Sequence, residues 1–295
     1  MTGTDAVTGG RPTRGGLRFT LSWLGAVPFL GYVALFLLQP TLIVLIEAFG
    51  DAAGRPTLAN VQELTQEYVL TSFWHSLVLS AESAVIGAVF GALLAYAVVT
   101  GDPNGLLRRV VTSMSGVFAQ FGGIQLAFAF VATVGPAGFL TVLMQNAGLA
   151  VSGGWLYELN GLVVVYAYFQ IPLMVLVFLP ALDGIKPQWR EATESLGGST
   201  WDYWRHVAAP ILFPPFLGAL LLLFANAFSA YATAAALISQ GGIIVPLQIR
   251  TALTSEVLLG RENVGKALAM GMIVVVAVVM TLQALIQRRT SRWLR

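Results

Sequence analysis

The chain contains no cysteine and only two histidines, His75 and His206. Without cysteine there is no disulfide, no thiolate metal site and no cysteine nucleophile. The two histidines lie in different segments and share no metal-ligand spacing. Charge is scarce as well: 10% of the residues are charged, against about 25% in an ordinary soluble domain. No Gly-x-x-x-x-Gly-Lys-Ser/Thr run occurs, so the chain lacks the phosphate-cradling loop with which ATP is commonly hydrolysed. No Ser/His/Asp set has the spacing of an intramembrane hydrolase, His75 beside Ser76 being the nearest approach. A membrane enzyme is therefore the weakest of the function classes.

What is abundant is apolar sequence. Hydrophobic residues make up 57% of the 295, and the mean hydropathy is +0.78. A crossing helix needs about 20 mainly apolar residues at about 1.5 Å of rise each. Six runs meet that length, at about 22–48, 74–99, 110–134, 161–182, 211–238 and 265–287. The reading is an all-α membrane protein with six transmembrane helices. Residues 1–20, rich in Gly, Thr and Arg, read as a disordered cytoplasmic tail. Residues 21–290 form the transmembrane domain, and 291–295 a cytoplasmic C-terminus. The first run is too long for a signal-peptide core and has no clear cleavage site, so it reads as a retained helix.

With both termini placed inside, twelve of the sixteen Lys and Arg residues fall in the tail, the 100–109 and 183–210 loops and the C-terminus. Only Arg55, Arg250, Arg261 and Lys266 fall outside. That bias orients both ends to the cytoplasm. It also explains a pI near 9 without any nucleic-acid partner. The outer segments are expected to hold a short interfacial helix within 50–73, interfacial aromatics Trp155 and Tyr157, and a turn at Gln240-Gly241-Gly242.

The longest inner loop reads EATESLGGSTWDYWRHVAAPILFP from Glu191. Gln188 to Leu196 is predicted helical, with Glu191 and Glu194 in its opening turn, and Gly197-Gly198 breaks it. Ser199 or Thr200 caps a second helix with Asp202 in its first turn. Trp201, Trp204 and Val207 recur at three-residue spacing as one apolar face, and Pro210 and Pro214 mark the start of span five. Taken alone, this helix–turn–helix is either an interfacial anchor or a docking element.

The segment resembles the EAA loop of ABC importer permeases of the binding-protein-dependent class. Glu191 and Ala192 match that pattern and Thr193 replaces its second Ala. Gly197 is in register, Val207 stands for Ile, Ala209 for Leu, and Pro210 matches. The resemblance extends over about 20–290, through the stretch from Asn60 into span two and through Gly265-Lys266-Ala267-Leu268-Ala269. It implies a type I importer permease, a multi-pass protein of the bacterial inner (plasma) membrane. The 184–210 loop would then be the element on which a separate ABC ATPase dimer acts, through Glu191, Ala192, Thr193, Gly197, Val207 and Pro210. Thr193 is the departure to watch, since a hydroxyl at a packed position bears on fit to the partner. ATP and Mg would belong to that ATPase, with no cofactor and no metal on this chain. Further implied partners are a second permease, in a heterodimer rather than a homodimer, and an extracytoplasmic solute-binding protein.

Polar residues inside the spans are the candidates for a solute pathway: Glu82, Gln120, Gln125, Gln170, Asn226 and Tyr231, with Ser229 beside them. Glu82, about two turns into span two, reads either as a contact for a cationic solute or as a protonated or hydrogen-bonded packing group. Gln170 precedes Ile171-Pro172, where a kink is expected. Glu47, near the outer surface, is expected to snorkel. The small residues of span three, Gly116, Gly122, Gly123, Ala127 and Ala129, read as packing. The stretch LISQGGIIVPLQIRTAL resembles the spermidine/putrescine-type branch, which implies a polyamine as solute, with ferric iron, thiamine or phosphonate as the other cargoes of that branch. The competing class is a secondary transporter or channel without an ATPase, although inverted repeats and ionisable pairs of that kind are not evident.

Overall fold

A computed structural model describes residues 22–51, 54–102, 104–238, 244–254 and 262–291. The expected tail at 1–20 and the turn at 240–242 lie outside these residues. Among those described, the regular structure is helical apart from one isolated bridge between Gly50 and Pro56. Six helices are long and apolar enough to cross a membrane: Ala26–Glu47, Glu67–Thr100, Gly123–Asn146, Leu159–Asp183, Thr200–Ser229 and Asn263–Ile286. The chain divides into two units, 1–44 and 45–295. The first holds most of span one, a helix with a π turn at Ala34–Leu38 and a Tyr32–Phe36 ring contact at 4.9 Å.

The second unit is organised around span four, Leu159–Asp183, whose buried side chains point in every direction. Apolar and aromatic residues all round a helix are what a central helix requires. Span two, Glu67–Thr100, packs against it through small residues. Ser80, Ser83, Ala84, Gly87, Ala88 and Gly91 recur at three- and four-residue steps and are all buried. A Cβ built on Gly87 would lie 2.4 Å from Gln170 Cβ, and one on Gly91 2.5 Å from Met174 Cβ. The two backbones thus meet more closely than any side chain permits. In a bilayer, where lipid tails are as apolar as leucine, such close van der Waals packing drives helix association.

Towards the other rim of span two, serines take a second role. Ser76 Oγ accepts from Val245 N–H at 2.9 Å, and Gln248 Nε2 donates to Ser72 Oγ at 2.6 Å and to the Tyr68 carbonyl at 3.2 Å. These bonds hold the start of helix Val245–Thr254, whose residues Val245 to Gln248 are buried. Only a turn is expected there from sequence. The signal was the row Ser72, Ser76, Ser80, Ser83 on one helix face. At this same end Lys266 Nζ meets Glu47 Oε2 at 2.9 Å, and the Gly50 carbonyl accepts from Asn60 and Asn263. Glu47 is therefore ion-paired rather than merely snorkelling. The interfacial helix expected in 50–73 is Ala59–Glu63.

Two spans differ from the hydropathy pattern. The third run, expected unbroken over 110–134, is split into helices Leu106–Phe118 and Gly123–Val134, so that the apolar span begins at Gly123 and not at 110. Arg108 pairs with Asp183 at the C-terminal end of span four, and Phe118 and Phe130 both meet the Tyr168 ring, at 5.9 and 5.7 Å. The helix is interrupted between them, with Gly123 at φ +73°, a conformation open to glycine. Past a Gly135–Gly138 turn the chain continues as helix Phe139–Asn146. Span five, expected over 211–238, starts earlier and ends earlier. It runs from Thr200 to Ser229, breaks at Ala230 and Tyr231, and resumes as Ala232–Leu237.

Candidate functional site

The 184–210 loop is built by local chemistry. Pro187 sits in the first turn of helix Pro187–Ser195, where its missing N–H costs nothing. The helix ends in a Schellman motif: Gly198 N–H donates to the Thr193 carbonyl at 2.9 Å and Gly197 N–H to the Glu194 carbonyl at 3.0 Å. Gly197 takes φ +78° as that motif demands. Ser199 then starts the next helix with a capping box. Its Oγ accepts from Asp202 N–H at 3.2 Å, and Asp202 Oδ2 accepts from Ser199 N–H at 2.9 Å.

That second helix is not a separate surface element. It passes through a π turn at Trp204–Ala208 and continues as span five. Ala209 N–H reaches back five residues to the Trp204 carbonyl. This wider turn accommodates Pro210, which would otherwise clash with the helix before it. Pro210 thus lies inside a continuous rod rather than at its start.

Of the docking candidates, Glu191, Ala192, Gly197 and Pro210 are exposed and Val207 is half-buried. Thr193 is turned inward: its Oγ1 donates to the Trp189 carbonyl at 2.9 Å, and its Cγ2 lies against Gly198. The hydroxyl is thus used within the turn rather than offered to a partner. The expected Trp201, Trp204 and Val207 face is also corrected. Trp201 is 70% exposed, whereas Tyr203 and Ala208 are buried and Trp204 meets the Tyr96 ring edge-on at 5.4 Å. The cap at Ser199 sets the helix phase, and the π turn shifts it again. Leu196, 89% exposed beside the Gly pair, was not singled out from sequence. Its signal was a large apolar residue at a helix end without an apolar neighbour to cover it.

The second feature is a cleft of about 280 Å³ where the breaks in spans three and five meet. Gln120, Asn226, Ser229, Tyr231 and Thr233 line it, together with Phe169 and the small residues Ala119, Gly122, Gly123, Ala230 and Ala232. Gly123 N–H donates to Thr233 Oγ1 at 2.9 Å, joining one break to the other. Tyr166 of span four donates its hydroxyl to the Ala230 carbonyl at 2.7 Å, satisfying a group that the break frees. No charged side chain lines this cleft.

Three pathway candidates, Gln120, Asn226 and Tyr231, therefore come together. Gln125 is exposed near the rim, its Oε1 within 3.6 Å of a Cβ built on Gly123. Gln170 is fully buried instead: its Nε2 donates to the Leu223 carbonyl at 2.7 Å, tying span four to span five. The helix runs on through Pro172 to Asp183. Glu82 is not at the cleft. Span two begins at Glu67, so Glu82 is the sixteenth of its 34 residues, deeper than expected, and it is exposed.

The family described as "Binding-protein-dependent transport system inner membrane component" matches residues 87–292. The chain belongs to that family. The match covers spans three to six, the 184–210 loop and the last part of span two, from Gly87 on. Among relatives of this family member, the "Putative ferric transport system permease protein FbpB 1" of Haemophilus influenzae is 24% identical over 200 residues, 66% of this chain and 31% of that protein. The chain thus spans about a third of that relative's length. The "Sulfate transport system permease protein CysW" of Escherichia coli K12 is 26% identical over 227 residues, 73% of this chain and 72% of that one. In fold, the family member resembles a subunit in the "Crystal structure of a bacterial ABC transporter involved in the import of the acidic polysaccharide alginate". The TM-score is 0.72 at 16% identity, covering 92% of this chain and 95% of that one.

Proposed function

We propose that this chain is a membrane subunit of an ATP-driven importer. Its 184–210 loop faces the cytoplasm and receives a separate ATPase subunit. The cleft between the broken spans is its share of the solute path, and an extracytoplasmic binding protein delivers the solute. The observation that carries this reading is the continuity of the loop with span five. A push on exposed Glu191, Ala192 and Leu196 meets a helix locked by the Schellman turn and the capping box. Beyond Ser199 the rod is unbroken as far as Ser229, at the edge of the cleft. Such a rod moves as a body, whereas a flexible loop would absorb the displacement. Family membership and the fold neighbours support the same reading.

As cargo, a polyamine is the first solute to test, on the resemblance of 237–253, ahead of ferric iron, thiamine and phosphonate. The cleft would meet it with the amides of Gln120 and Asn226, the hydroxyls of Ser229, Tyr231 and Thr233 and the Phe169 ring, without a charged side chain. The test is reconstitution of the purified complex in proteoliposomes, with uptake and ATP hydrolysis measured together. Glu191→Ala combined with Gly197→Pro is expected to abolish ATP-dependent uptake. Full uptake by that variant, with no ATPase subunit co-purifying with the native chain, would remove the importer reading in favour of a carrier or channel.

A further inference from the structure

The amide of Gln170 has a fixed sense. The side chain is fully buried, and span two closes over it at Gly87, where even a Cβ would collide with Gln170 Cβ. The atom 2.7 Å from the Leu223 carbonyl is Nε2, because a carbonyl oxygen can only accept. Oε1 is thereby turned to the other side of the amide, toward Asn226. Leu223 and Asn226 stand three residues apart on helix Ala209–Ser229 and so share a face. Asn226 Nδ2 lies 3.5 Å from Gln170 Oε1. The reverse orientation would set two carbonyl oxygens against each other in the low dielectric of the bundle. Asn226 therefore keeps its donor toward span four and leaves Oδ1, an acceptor, for the cleft that it lines. Oδ1 has no hydrogen bond among the described residues.

Ser229 repeats that polarity. It stands three residues beyond Asn226, on the same face, and lines the same cleft. Its one hydroxyl hydrogen goes to the Ala225 carbonyl at 2.9 Å, so only lone pairs are left for a solute. Both residues belong to the last turn of helix Ala209–Ser229, at the negative end of its dipole. Across the cleft, the start of helix Gly123–Val134 does not reverse this. Gly123 N–H is bonded to Thr233 Oγ1, and Ile124, Gln125 and Leu126, which follow it, do not line the cleft. Gln120 and Tyr231 carry groups that can turn to donate or accept. The fixed acceptors thus sit on the span-five side.

We propose that Gln170 is a positioning residue for solute selection. By holding the Asn226 amide in one sense, it makes Asn226 Oδ1 and Ser229 Oγ an acceptor pair that receives an N–H donor of the solute, best an ammonium, and turns away an oxyanion. The inference rests on the importer reading and adds which side chains decide between the two kinds of solute. The chain has no cysteine, so Ala230→Cys places a single thiol of this chain at the cleft. In the detergent-purified full complex, its modification by aminoethyl methanethiosulfonate, an ammonium, is compared with that by sulfonatoethyl methanethiosulfonate, an oxyanion. Mass spectrometry of this chain reads both rates, each normalised to the rate with free mercaptoethanol. The ammonium reagent is expected to lead by about threefold or more, the scale of a helix-end charge effect. Asn226→Leu in the same background is expected to bring the normalised ratio close to one. Gln170→Met is expected to do so too, with the sum of the two rates unchanged within about twofold. A merely looser bundle would speed both reagents alike and leave their ratio. Asn226→Leu keeps the Gln170–Leu223 bond and decides the acceptor assignment if Gln170→Met does not assemble. A ratio near one in the Ala230→Cys chain, a lead for the sulfonate, or no reaction with either reagent overturns the proposal. So does a lead that survives Asn226→Leu or Gln170→Met. The ratio is read without transport: a preference without ATP-dependent uptake removes the importer reading and leaves the acceptor pair, whereas uptake without a preference removes only this inference.

Discussion

Replacing Gly87 and Gly91 with alanine tests whether spans two and four are held by backbone contact. The added methyl at Gly87 would sit 2.4 Å from Gln170 Cβ, and that at Gly91 2.5 Å from Met174 Cβ and 2.6 Å from the Ile171 carbonyl oxygen. Carbon atoms rest at about 3.5–4.0 Å, so each methyl must displace its neighbour by roughly 1–1.5 Å. Two of the three obstructing atoms are Cβ atoms and the third is backbone, so no rotamer change relieves them. Overpacking of this kind costs about 1–3 kcal/mol, partly offset by a helix-propensity gain of up to about 1 kcal/mol for alanine over glycine. The two sites lie about 6 Å apart along one face, so a single outward shift of span two relieves both. The double variant is therefore expected to lose about as much as the worse single variant. The control is Gly116→Ala, which meets nothing within 4 Å and is expected to be neutral or slightly stabilising. Unfolding by dodecyl sulfate in mild-detergent micelles, followed by far-UV circular dichroism, reads the differences. Losses at Gly87 and Gly91 that add to within about 0.5 kcal/mol, as independent sites do, would refute the shared-interface reasoning.

Further outcomes are expected elsewhere. Ser199→Ala removes the cap and is expected to cost about 1 kcal/mol, read as faster amide exchange confined to the 199–203 turn. Tyr166→Phe frees the Ala230 carbonyl and is expected to cost about 0.6–1.7 kcal/mol, with exchange rising at the span-five break and not at the 184–210 loop. The Glu47–Lys266 pair is partly solvent-exposed, so a double-mutant cycle of Glu47→Gln and Lys266→Met is expected to give a coupling below about 1 kcal/mol, shrinking further in high salt.

The 184–210 loop was largely legible because caps act over three or four residues. Ser199 and Asp202, or Thr193 and Gly198, find each other within one turn whatever the rest of the chain does. The direction of Thr193 was less legible, because only the folded turn shows its methyl against Gly198. Long spans were legible for an equally local reason: length and composition suffice to predict a crossing. The breaks were not. Gly122-Gly123 hinted at one, but Ala230-Tyr231 carries no breaking residue, and that break is satisfied by Tyr166 from span four and lies against Thr233, which holds Gly123.

By itself, then, the amino-acid order determined that the chain is a six-span membrane protein with a capped polar loop before its fifth span. It also determined that no cysteine and no Gly-x-x-x-x-Gly-Lys-Ser/Thr loop competes with that reading. Tertiary structure decided which polar residues share a cleft, that Gln170 ties helices together instead of lining it, and that Glu82 does not line it. The physical reason is rotation. A helix of nearly uniform hydropathy has no phase of its own, and the phase of span two is set where Gly87 and Gly91 let another backbone approach and where Ser72 and Ser76 bond Gln248 and Val245.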